Sequence, residues 1–128
     1  MSILLKLETK AVDLFSRRLF LRMHDFILVR EYKGVPVYAP ANKECREKLF
    51  CDEYAYALGE GIFVKYKSYA KDIALLEHEH EHVKQLREWG VLFSVLYILQ
   101  EKTVGYRNNR FEKEARLAER RIRSKRRN

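Results

Sequence analysis

Cysteine is nearly absent from this 128-residue chain, which has only Cys45 and Cys51. Six residues apart, with no C-x-x-C pair and no further cysteines, they cannot build a thiolate zinc site, and both are expected as reduced thiols. Proline and glycine are scarce too, at two and five residues, so chain breaks fall at a few legible places. Long apolar runs are missing as well. The longest uncharged one, Trp89 to Leu99, is far short of the roughly 20 residues that cross a bilayer. Met1 to Met23 makes a poor signal peptide, because Glu8, Asp13, Arg17 and Arg18 interrupt it and no small-residue cleavage site follows. An intracellular location is the expectation. There is no internal repeat and no linker, so residues 1–128 read as one domain.

What is present describes a folded protein: 47% hydrophobic and 34% charged residues suit a globular chain with a single core. The formal net charge of +8 is unevenly spread. Between Arg116 and Asn128 seven Lys and Arg residues face Glu119 alone, a net +6, leaving +2 for all the rest. A basic tail rather than a basic domain sets the charge. Such an end suits weak contact with nucleic acid or an acidic partner, here through Arg120 to Arg127.

Hydrophobic spacing over Ile3 to Met23 predicts an amphipathic helix packed on the core. Phe26 to Glu31 and Val35 to Tyr38 flank Lys33-Gly34 as a hairpin, whose second arm Pro36 restricts to a sheet edge. Asn42 caps a short helix from Lys43 to Phe50, and Tyr54 to Leu58 and Ile62 to Tyr66 form a second hairpin around Gly59-Glu60-Gly61. Asp72 caps a helix running to about Glu88. Val91 to Lys102, the most apolar helix, is expected at the centre of the core. Val104 to Asn109 read as a loop, and Phe111 to about Arg123 as the last helix. The fold class is α+β: mostly helical, with a small antiparallel sheet beside the helix that starts at Asp72.

That helix carries the chemistry. His78, Glu79 and His82 spell H-E-x-x-H, and four-residue spacing turns both imidazoles toward one point. Glu79, on the neighbouring azimuth, can take a proton from water held in an open coordination position. The surrounding run Glu77 to His82 alternates Glu and His, but His80 is followed four residues later by Lys84 and begins no motif. Helical register sends His80, Glu81, Lys84 and Arg87 outward, with Ile73, Leu76, Val83 and Leu86 broadly on the ligand side. A catalytic zinc site normally needs a third protein ligand. Glu112 and Glu114, early in the last helix, are the candidates.

The segments His78 to Gln85 and Gly105 to Arg116 together resemble small H-E-x-x-H metallopeptidase-like proteins of bacteria and their phages, similar to minimal gluzincins. There a glutamine follows the motif by three residues, and a later helix opens F-E-x-E-A with its first glutamate as third ligand. The resemblance implies Zn2+ held by His78, His82 and Glu112, with Glu114 the alternative. Arg110 stands where such proteins often have proline. Arg116 stands where larger gluzincins place an aspartate that steadies a ligand histidine, a role a backbone carbonyl can fill.

The implied activity is hydrolysis of peptide bonds by a zinc-bound water, with Glu79 as general base and Tyr106 or Arg107 as transition-state stabiliser. The substrate is a protein or peptide, which an edge strand beside the metal can hold by backbone pairing. The rival is a noncatalytic, zinc-stabilised, phage-associated binding or structural protein that docks through its basic tail.

Overall fold

The computed structural model describes residues 25–50, 53–90 and 92–127. The expected helix Ile3 to Met23 lies outside them, as does Cys51. Strand β1 (Phe26–Tyr32) and β2 (Val35–Pro40) form the first hairpin. Its turn places Lys33 at φ 49° and Gly34 at φ 81°, two left-handed residues whose twist matches that of the strands. The second hairpin is β3 (Ala55–Leu58) with β4 (Gly61–Val64).

Sheet order is β1-β2-β4-β3, and β2 runs parallel to β4. The sheet is therefore mixed, where two hairpins alone implied an antiparallel one. β2 is also interior, which corrects the edge position expected from Pro36. The parallel ladder joins only Val37 to Ile62 and Tyr38 to Phe63, so it asks no hydrogen bond of Pro36.

Helix α1 (Lys43–Leu49) is capped by Asn42, whose Oδ1 accepts from the Cys45 amide at 2.8 Å. Cys45 is a buried free thiol. A 3-10 turn (Lys67–Lys71) leads into α2 (Ile73–Trp89). Asp72 caps α2 by accepting from the Leu75 amide at 3.2 Å, and Gly90 ends it at φ 62°, a conformation that costs glycine little. Helix α3 (Leu92–Asn108) breaks at Gly105, and only Asn109 separates it from α4 (Arg110–Arg127). The expected loop is compressed because fully buried Asn109 satisfies it: its side chain donates to the Tyr97 carbonyl and Glu101 and accepts from the Phe111 amide.

The core lies between the sheet and α2, where Val35, Val37, Ile62, Val64, Leu76 and Val83 are buried. α3 is not central to it: none of its residues is fully buried, and Val95 and Leu99 are 62% and 55% exposed. Apolar content did not decide its place. α3 instead stacks Tyr97 on Phe111 of α4 and sets Phe93 edge-on to it, at the rim of a cavity. His80 also departs from expectation. It does turn away from His78 and His82, yet it is buried, edge-on to Tyr32 at 5.8 Å, because the sheet covers that side of α2. Among the described residues helices predominate over the four strands, and the class is α+β. No described helix is long and apolar enough to cross a membrane.

Candidate metal centre

α2 and α4 build the site together. On α4 the buried positions Phe111, Ala115 and Ala118 follow helical spacing, and the two alanines let it lie close against α2. That register puts Glu112 opposite His78 and His82. One ligand atom from each of the three lies within 4.8 Å of the others. His82 Nε2 is 3.1 Å from Glu112 Oε1, and His78 Nε2 is 3.3 Å from Glu112 Oε2.

The outer nitrogens are held from behind. His82 Nδ1 meets Gln85 Oε1 at 2.9 Å, while Gln85 Nε2 donates to the Phe111 carbonyl and Glu114 Oε2, each at 2.9 Å. Since the Gln85 amide nitrogen is the donor to those two, its oxygen must accept, and His82 carries its proton on Nδ1. His78 Nδ1 likewise meets a carboxylate acceptor, Glu119 Oε1, at 3.1 Å. In their neutral forms both rings therefore point a lone pair, not an N–H, at the Glu112 carboxylate.

Three acceptors facing one another need a cation between them, either a proton on each ring or one metal ion. Glu112 Oε2 records this shortage: it is buried and has no hydrogen-bond partner among the described residues, with His78 Nε2 at 3.3 Å. The residues thus fit a metal ion, and two imidazoles with one carboxylate are a donor set that suits zinc better than the all-oxygen preference of calcium or magnesium. Without a metal, protons bridge. Burial works to lower the pKa of His78 and His82, but Glu112 outweighs it and both are raised. Burial would raise Glu112, and the two histidines with Tyr97 hold it far below the carboxylate range.

Glu79 completes the group. It is 6% exposed and lines the cavity beside both histidines, and burial raises its pKa from 4.5 to about 7. No hydrogen bond from a described residue reaches its carboxylate. The cavity, of about 560 Å3, is bounded by α2, α3, α4 and Ala55 to Ala57 of edge strand β3.

Glu114 is not brought to the histidines' inner side; it supports Gln85 and pairs with Arg110 at 3.3 Å. Tyr106 lines the cavity, its pKa pushed up to about 12 by burial and by Glu112. Arg107 does not line it and is exposed, its carbonyl accepting from Arg116. Arg110, in place of the expected proline, lies over the Trp89 ring at 5.5 Å. With Arg116 turned to that carbonyl and to the Tyr106 ring, the steadying acid is Glu119, two turns beyond Glu112 on the same helix face. Sequence reasoning missed Glu119, whose seven-residue spacing from Glu112 was the available signal. It also missed Tyr97, whose hydroxyl donates to Glu112 Oε1 at 2.8 Å. No protein-family model matches the chain, and no match is found among curated proteins or solved structures.

Proposed function

We propose that this chain is a zinc-dependent metallopeptidase, gluzincin-like in arrangement, with His78, His82 and Glu112 as ligands and Glu79 as general base. One observation carries the reading: the three inward-facing acceptors meet at a cavity whose wall holds the buried Glu79 carboxylate. Zinc held there would supply Lewis acidity, activating water and polarising a carbonyl. Glu79, buried beside both histidines at the cavity wall, would take a proton from water and return it to the departing amine. Tyr106, which lines the cavity, would donate toward a developing oxyanion, and Tyr97 steadies Glu112.

The substrate class follows from the strand beside the site. Among the described residues β3 pairs only with β4, so its other edge can align an extended peptide across the cavity without reading side chains. A cytoplasmic setting, the host's if the chain is phage-encoded, belongs to this reading and agrees with the free buried thiol of Cys45. The exposed cationic end of α4, Arg120 to Arg126, supports the second reading of a zinc-stabilised protein that contacts nucleic acid or an acidic partner. Its mark is binding that weakens steeply with salt and vanishes when residues 120–128 are deleted.

Cleavage of a broad peptide library by wild type and Glu79→Gln, with zinc content measured in each, decides between the readings. The peptidase reading expects equal zinc and a loss of about 10²- to 10⁴-fold in kcat/KM for the variant. One zinc in each protein with no peptide cleaved by either would refute it.

A further inference from the structure

The cavity carries four carboxylates, Glu53, Glu79, Glu101 and Glu112, and among the described residues no Lys or Arg lines it, in a chain whose net charge is +8. A divalent cation at the histidines offsets two of those charges. Two remain, and the centre uses neither Glu53 nor Glu101. They come from different walls: Glu53 lies just before edge strand β3, and Glu101 projects from α3. Glu101 is fixed in place, since fully buried Asn109 donates to its Oε1 at 2.9 Å, which leaves its second oxygen for a ligand. Glu53 forms no ion pair with a described residue. Glu79, nine-tenths buried, has no hydrogen-bond partner among the described residues and also faces this space. Nearby, the ring of Phe93 lines the same space and offers apolar surface along which an alkyl stem can lie.

Resting on the peptidase reading, we infer that the cavity selects peptides with a lysine or arginine side chain beside the scissile bond, bound by Glu53 and Glu101. The peptide backbone lies along β3 while the basic side chain crosses toward α3. The preference runs against the protein's overall charge, so general attraction to a cationic surface cannot imitate it.

The test reads binding apart from cleavage. Full-length, zinc-loaded Glu79→Gln is titrated with labelled peptides identical except for lysine or norleucine at each position in turn, followed by fluorescence anisotropy. At one or two positions lysine should bind about tenfold tighter, as a partly desolvated charge pair would give. Adding Glu53→Gln and Glu101→Gln should bring that ratio close to one. No lysine preference at any position, or a preference the added substitutions leave unchanged, overturns the inference. Wild-type cleavage of the same peptides reports on the peptidase reading separately: lysine-selective binding without cleavage defeats that reading alone, and cleavage without lysine selectivity defeats the inference alone.

Discussion

α2 is buried on two sides, and they treat polar groups differently. Toward the sheet, Glu77 accepts from the Tyr32 hydroxyl and from Lys33 Nζ, so donors and acceptor match. Burial would raise the Glu77 pKa, but these two donors outweigh it and the carboxyl sits below its ordinary range. Toward the cavity, His78, His82 and Glu112 turn acceptors on one another, and Glu79 adds a carboxylate with no donor among the described residues. Burying an unmatched acceptor costs on the order of 1–3 kcal/mol, so a fold keeps such a side only where something else supplies the positive charge. The sheet side is matched donor to acceptor, and the cavity side is left short of positive charge. His80 is the exception on the sheet side: its Nδ1 has no partner among the described residues, and burial holds its pKa down.

The contrast breaks first under pH. In metal-free protein, folding raises the pKa of Glu79 from 4.5 to about 7 and raises those of His78 and His82 above 6.5. Groups that hold protons more tightly when folded contribute stability that is complete below the unfolded pKa and is lost as pH rises through the folded one. Glu112 has the opposite sign and acts only in acid. For Glu79 alone the loss between pH 4.5 and about 7 is on the order of 3 kcal/mol. Urea unfolding of the EDTA-treated protein should therefore show lower stability near pH 8 than near pH 5, with much of the loss restored by zinc. Equal stability at both would mean that the cavity side is not short of protons.

Substitutions behind the histidines come next. Gln85→Ala and Glu119→Ala each remove the group that fixes a ring's tautomer and should weaken zinc binding by about 10- to 100-fold in chelator competition. If affinity is unchanged, those contacts only pack the helices together. The smallest effect belongs to the sheet side. Tyr32→Phe leaves Glu77 with Lys33 alone and should cost about 1–2 kcal/mol in urea unfolding while zinc affinity stays the same. A fall in zinc affinity would show that the two sides are coupled.

Which parts of this were legible in the sequence depends on how local each signal is. Caps at Asn42 and Asp72, the turn at Lys33-Gly34 and the pairing of His78 with His82 are encoded within a few residues, and the structure places them as read. Glu112 needed a second segment some 30 residues away, linked to the first only by resemblance. The parallel pairing of β2 with β4 has no local signature, since two hairpins can join at either edge. α3 misled because apolar content gives a tendency to be buried, whereas its position at the cavity rim leaves one face uncovered among the described residues. Glu119 was obscured as the one acid in a basic stretch, and Tyr97 by its place in an apolar run.

The central claim is that Glu112, not Glu114, closes a metal site with His78 and His82. Zinc titration of wild type, Glu112→Ala and Glu114→Ala by chelator competition tests it most directly. One zinc per chain is expected in wild type, with an affinity loss on the order of 10³-fold for Glu112→Ala. Glu114→Ala should lose no more than about tenfold, because Glu114 acts only through Gln85. Wild-type affinity in Glu112→Ala, or a larger loss in Glu114→Ala, would contradict it.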